Sequence, residues 1–550
     1  MWKPLIACAA AAVAVYLAAA PAAWAQPVRA DWVAAGVGDW DDSLFWIWPA
    51  GGAPPEGYPH DVSGGLYDCR LSGGPTAAAT VRHDVGVFDV LVEQELHILD
   101  NATLTITAPL DDPAIPWGPT APSLQVCGLS VGVGGEVRVF GGSSLVLSGV
   151  ATTAHATDPG HLLIEGTLHF QPGAGATPPG VAPCAITGGG VIELAGGVIS
   201  SDADIVHQYD STIRGYGRIA ASLQNEYAIA ADVAGQWLRF DTNDTTSTED
   251  GVVEAKNGGK LAIEGIQFEN RGWMDVYSDS YLLVDAATID CKGAGAVVVH
   301  GTLELRHGGA IRDCGPTMTA DLDSVIDVGV TDLGGGSSLA PNEFALPALN
   351  LGGTLNVRNP APGTGADETI LTMNGHLVHS GAVDIGPGAR MVTQGLFTQY
   401  AGSTTVDGLL VAEGGRVRIN DGALTINTAA DAAIDLTVNN FIVDYATPPV
   451  GAYSDEFLAI EALVKSGYKD GPLHYWDGPG IQSSAAAASA ATSRRPWRPS
   501  TTPAPAAARP TSRANRSTPR ASWSSTPGTA TSTWTAWWTS TTTTSSTTRS

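Results

Sequence analysis

The sequence predicts an all-β fold, a right-handed parallel β-helix (β-solenoid) with an N-terminal aromatic cap, one short C-terminal capping helix and a disordered tail. Three observations predict it. Glycines recur at Gly381, Gly388, Gly395, Gly402, Gly408, Gly415 and Gly422, at spacings of 7, 7, 7, 6, 7 and 7. Between them lie short alternating segments such as Ala382-Val383-Asp384-Ile385 and Arg416-Val417-Arg418-Ile419. Alternation places Val383, Ile385, Val406, Val417 and Ile419 on one face, and each glycine supplies the corner that turns the chain. Third, only 7% of the 550 residues are aromatic while 66 are glycine, so a core must come from stacked small aliphatic strands. About three strand-plus-corner units make one coil on the order of 20 residues long.

The same grammar is looser upstream, at His161 to Phe170, Gly190 to Ile199, Ala296 to Arg312 and Gly352 to Val357. Gly-Thr-Leu triplets at Gly166, Gly301 and Gly353 mark equivalent strand starts. A series of β-sandwich domains is the alternative, for which longer strands and turns every 8–12 residues would be needed.

In chain order, residues 1–25 read as a secretory signal: Lys3, an uncharged run from Leu5 to Ala20, then Ala23-Trp24-Ala25. An uncleaved anchor is the other reading. Residues 26–110 form a Trp-rich cap and first strands, with Trp32, Trp40, Trp46 and Trp48 grouped near the start. A first coil has no neighbour, so large aromatics suit its open end, although tryptophans also stack on sugars. A Pro-rich loop, 111–123, leads into the solenoid, 124–445. In the C-terminal cap, 446–480, Ser454-Asp455-Glu456 opens a helical run from Phe457 to Lys465, closed by Gly467. The mature chain keeps Cys69, Cys127, Cys184, Cys291 and Cys314; Cys291 with Cys314 is the first disulfide to test.

The net charge is −27, and no Asp or Glu follows Asp477 while eight Arg do. Such an acidic body disfavours nucleic acid and anionic membranes as main partners and tolerates divalent cations and neutral glycans.

Val37-Gly38-Asp39-Trp40-Asp41-Asp42 with Phe45-Trp46, the repeat Phe397 to Gly408, and Gly467-Tyr468 followed by Gly478 to Ser484 together resemble one family. It comprises large secreted β-solenoid proteins of environmental bacteria, planctomycete-type, with autotransporter-like repeats and a C-terminal dockerin-like or sorting module. The resemblance covers about a third of the mature chain and implies architecture, a secreted or cell-surface location and little about activity.

The candidate acids for catalysis are Asp321, Asp323 and Asp327, the run Asp241 to Asp250, and Asp285 with Asp290. A lyase would place such acids around Ca²⁺ with a basic residue beside them, but Lys256, Lys260 and Lys292 share no pattern. The Asp321 to Asp327 acids read as outward strand positions. His300 with His307, and His376 with His379, read as surface histidines, since strand residues three apart face opposite ways. No catalytic, cofactor-binding or metal-binding residue is assigned. The expected function is a structural or adhesive solenoid whose partner is an extracellular polysaccharide or envelope component. A polysaccharide-degrading enzyme held by the dockerin-like module, and a passive envelope scaffold, are the alternatives.

Residues 481–550 change abruptly to Ala, Ser, Thr, Pro and Arg, with Trp497, Trp523, Trp534, Trp537 and Trp538. A linker would not carry Trp-Trp; a shifted reading frame would. Trp has a single codon, so reading one base back turns Thr535 and Thr539 into Asp and Trp538 into Val. Within the read-back of Thr529 to Thr542, Thr531 to Thr542 can then read as a dockerin calcium loop, with acidic ligands at positions 1, 3, 5, 9 and 12 and Gly at 6. Calcium, and a cohesin-like partner, are expected for the restored frame alone. Reading the gene in that frame from the region between Ser484 and Trp497 is expected to give an uninterrupted acidic segment; stop codons before the loop would refute the shift.

Overall fold

A computed structural model of the chain describes residues 28–32, 37–41, 46–47, 59, 67–71, 78–87, 89–92, 95–106, 124–126, 129–132, 135–148, 160–171, 184–202, 204–207, 211–241, 245–314, 318–329, 343–359, 368–445, 455–468, 476–492, 522–528 and 531–537. The signal-like segment, the Pro-rich loop, Trp48, Cys127 and Trp497 lie outside them. Two compact units divide the chain, Met1–Arg214 and Gly215–Ser550. Both are parallel β-helices.

In each unit the strands form three walls, and each strand pairs in parallel with its counterpart one coil later. In the first unit Tyr67–Leu71 pairs with Asp89–Val92, Ala78–Val81 with Glu95–Ile98, and Val85–Val87 with Thr103–Ile106. An exception is Leu124–Val126, which runs antiparallel to both Leu129–Val131 and Cys184–Thr187. At the start, Trp32, Trp40 and Trp46 are buried, with ring centroids 5.3 and 4.8 Å apart. The Trp40 indole N–H donates to the Pro59 carbonyl and that of Trp46 to the Trp40 carbonyl, at 2.9 and 2.8 Å. The burial of all three, with the donors of Trp40 and Trp46 spent, fits a core-sealing role and leaves these rings no face for sugar stacking.

The second unit repeats more regularly. In its second wall Leu377 pairs with Phe397 and Phe397 with Val417, two offsets of 20 residues. Alternation within each strand turns one set of side chains inward, so Val253, Met274, Val297, Met318, Leu349, Leu377, Phe397 and Val417 are all buried in one stack. Each contributes roughly 1.5–3 kcal/mol of burial free energy, which is how a chain poor in aromatics builds a long core. At the inward end of the first wall, Asn225, Ser247, Asn270 and Cys291 share one register. The Asn225 and Asn270 amides donate to the carbonyls of Val252 and Ala296 at 3.2 and 3.0 Å, answering the backbone where the chain turns. Cys291 takes the next place and is bonded to Cys314, Cα atoms 4.5 Å apart.

The glycine period is a walk around the three corners. Gly381, Gly402 and Gly422 each precede a third-wall strand, Gly388 and Gly408 a first-wall strand, and Gly395 and Gly415 a second-wall strand. A Cβ on Gly381 would lie 1.8 Å from the Gly353 carbonyl oxygen, and one on Gly402 1.9 Å from that of Gly381. The single six-residue step arises because residues 407–408 turn in two residues where 386–388 use three. The triplets at Gly166, Gly301 and Gly353 likewise start third-wall strands, with carbonyl oxygens 2.2, 2.4 and 2.1 Å from the Cβ positions.

The C-terminal end corrects three expectations. Helix α1, Asp455–Tyr468, continues through Gly467 instead of stopping there. Gly467 is a packing residue, since its Cβ would meet the Ile481 oxygen at 1.9 Å. Strand Gly480–Gln482 pairs with Ala433–Asp435 as a further first-wall rung. The segment expected to be disordered carries a second helix, α2, Ser484–Thr492. Alanine, the best helix former, fills it, and the Ser483 hydroxyl caps it by accepting the Ala486 N–H at 3.2 Å. Strands Ser522–Gly528 and Thr531–Trp537 form an antiparallel hairpin whose second strand pairs with Phe441–Tyr445; Thr and Trp favour strands even in a tail of linker-like composition.

Gly381→Ala is therefore expected to lower unfolding free energy by about 2–3 kcal/mol in denaturant titrations. Gly386→Ala, whose Cβ meets nothing closer than 3.4 Å, is expected to change it by less than about 1 kcal/mol.

Candidate functional site

Corner length decides where the second unit's surface is hollow. Between the second and third walls the chain turns in four residues at 321–324, in two at 352–353 and 380–381, and in three at 400–402. The long corners stand above the short ones and leave a groove of about 750 Å³ on the outer side of the second wall. Its floor is Gly352 and Ser380 with the outward residues Thr319, Asn350 and Val378. One rim carries Asp321, Leu322 and Asp323 beside His300, the other Tyr400. Leu322 is 79% exposed and Tyr400 58%, large apolar groups facing solvent at the mouth.

His300 Nδ1 sits 2.6 Å from Asp321 Oδ2, and the Tyr277 ring lies 6.3 Å from the imidazole. Tyr277 follows strand Trp273–Val276, whose alternation turns Trp273 and Asp275 outward while Met274 and Val276 are buried. Burial raises the Asp275 pKa, Glu254 on the neighbouring strand adds to the rise and His300 opposes it.

The acids singled out in the sequence are scattered. Asp321 and Asp323 occupy a corner, so the strand placement expected for them holds for Asp327 alone, which accepts a hydrogen bond from Asn356 at 2.7 Å. Asp241 accepts from Arg218 at 2.7 Å, and Asp285 is bonded to His307 at 2.5 Å. Asp290 pairs with Lys292, Glu254 with Lys256, and Lys260 lies over the Trp237 ring. An acid and a base two residues apart share one strand face, and the pattern recurs at Glu136 with Arg138, Glu269 with Arg271 and Glu304 with Arg306. Each lysine considered as a base is thus engaged locally. Among the described residues no three His, Cys, Asp or Glu side chains are grouped to hold a metal ion, and no helix is long and apolar enough to cross a membrane.

His379 is a correction. It is 1% exposed, inside the second wall's inward stack between Leu351 and Gln399. His376, three residues earlier, lies at the corner and accepts the Leu396 N–H at 2.9 Å, so the two do face apart. Gln399 and Thr404 are buried with His379. The Thr404 hydroxyl donates to Gln399 Oε1 at 2.7 Å and stands 3.2 Å from His379 Nε2, while His379 Nδ1 faces the Gly381 carbonyl at 3.3 Å. Gln399 Nε2 donates in turn to the Asp421 carbonyl at 2.8 Å. Burial pushes the His379 pKa down to about 4, against a weaker opposing pull from the Gly381 carbonyl. The clue in the sequence is positional: His379 and Gln399 occupy the slot that Leu351 and Ile419 fill in adjoining coils.

No known family matches this chain, nor does any curated protein or solved structure.

A histidine held neutral below its unfolded pKa makes stability fall as pH drops, because the unfolded chain takes up the proton first. Full stability from this group is present above about pH 6.5 and is lost progressively down to about pH 4, on the order of 3 kcal/mol in all. His379→Leu is expected to remove that part of the acid sensitivity, read as a smaller drop in denaturation midpoint between pH 7 and pH 4.

Proposed function

We propose that this chain is a secreted or cell-surface β-solenoid with a structural and adhesive role, which holds an extracellular polysaccharide in the groove of its second unit. The observation that carries the reading is the groove's chemistry. Tyr400 offers an exposed ring, and Asn350, Thr319, Ser380, Asp321 and Asp323 offer hydrogen-bonding groups over an open floor. Sugar rings are recognised by that combination, an apolar face for C–H groups and fixed polar groups for hydroxyls. A groove running across several coils also suits a polymer better than a compact ligand. The export-like N-terminus supports secretion, and the tail's codon pattern supports an ancestral docking module.

The test is a glycan array on the full chain, with reducing-sugar and unsaturated-uronate assays on every glycan bound. Binding without release of either product is expected. Tyr400→Ala is expected to weaken binding at least tenfold with an unchanged melting temperature, since the ring packs no core. Product release would favour an enzyme, and equal binding by the variant would remove the groove from the reading.

A further inference from the structure

We propose that the glycan bound by this chain carries free amino groups, as a glucosamine-type polymer does, and that Asp275, set between Trp273 and Tyr277, recognises them. The inference rests on the polysaccharide reading above and adds the ligand's chemical class.

Strand Trp273–Val276 and the Tyr277 that follows it present a row of ring, carboxylate, ring. Trp273 is 52% exposed and Tyr277 43%, one on each side of Asp275 along the same outward face. Two flat apolar surfaces flanking a carboxylate suit a pyranose that carries a charged substituent. Asp275 makes no ion pair among the described residues. That sets it apart from Glu254, Glu269, Asp290 and Glu304, each of which has its own Lys or Arg two residues on. Its titratable neighbours include Glu254, which has Lys256 as its own partner, and His300, already engaged with Asp321. The desolvation that raises its pKa marks a carboxylate that a bound cation would stabilise.

This row and the groove lie on one wall. Asp275 is in register with Val298, Val298 with Thr319, Thr319 with Asn350 and Asn350 with Val378. Successive strands stand about 4.8 Å apart, close to the length of one sugar residue, so a chain laid across the strands would place about one residue per coil. Between the two ends the outward residues are short or uncharged, and Asp323 at the groove, beside the His300-engaged Asp321, gives a second place for an amine. A chain of net charge −27 repels uronate polymers and has no electrostatic preference for neutral ones. An amine-bearing polymer is the class that both the aromatic row and the charge favour.

The experiment titrates the full chain with four hexamers at equal ionic strength: glucosamine, N-acetylglucosamine, β-linked glucose and galacturonate. The glucosamine hexamer is expected to bind at least tenfold tighter than its N-acetylated form. Asp275→Asn is expected to erase that ratio while leaving the N-acetylated affinity unchanged. Asp384→Asn, the same charge change on the third wall, is expected to leave the ratio in place. Equal affinity for the two amino-sugar hexamers, or a ratio that survives Asp275→Asn or collapses equally with Asp384→Asn, overturns the amine inference while glycan binding stands. Binding of none of the four overturns both.

Discussion

The constraint on which everything else rests is the distance between one coil's corner and the next. Parallel strands in register stand about 4.8 Å apart, and where they turn together the carbonyl of one corner occupies the space a Cβ would need on the next. The oxygens of Gly353, Gly381 and Gly402 approach the Cβ positions of Gly381, Gly402 and Gly422 to 1.8, 1.9 and 2.2 Å. Glycine is used there because it is the residue without that atom, and the coils can then close on one another. Close stacking in turn seats each inward residue on its neighbour, which buries Leu377, Phe397 and Val417 in line. The same contact that demands glycine outside permits a continuous apolar stack inside.

Strict stacking of the walls leaves two freedoms. One is the length of each corner, which can change without disturbing the register on either side. The four residues 321–324 over the two-residue corners 352–353 and 380–381 make the groove, and no core side chain has to move to accommodate it. The other is an occasional polar side chain inside, allowed where it is fully hydrogen-bonded. His379, Thr404 and Gln399 form such a set, and Gln399 closes it on the backbone of the following corner.

Reading the chain alone recovers the fold because glycine spacing and alternation are direct records of that stacking. The Gly381 to Gly422 series identifies corners, the Gly-Thr-Leu triplets identify third-wall starts, and Cys291 with Cys314 are joined as expected. The site was much less visible. Asp321 and Asp323 look like strand residues because Asp321 to Asp327 keeps a two-residue period, and only the pairing of Val325–Val328 shows that the strand begins after the corner. His379 looks like a surface residue because histidine is polar, whereas its register with Leu351 decides its direction. Helix α1 appears to end at Gly467 because glycine commonly stops helices, yet here it makes room for strand Gly480–Gln482. In each case local chemistry pointed one way and a partner far along the chain decided otherwise.

The bond between Cys291 and Cys314 has a mechanical meaning. A solenoid pulled by its C-terminal end would give up coils one after another, since each is held mainly by its neighbour. The disulfide spans 23 residues, about one coil, and joins two successive levels covalently. Peeling that starts from the C-terminal end and reaches Cys314 could not draw out the segment between the two cysteines. Tension would pass through the sulfur bridge to Cys291, so under load the protein would behave as a thread with a knot in it, the coils on either side yielding separately.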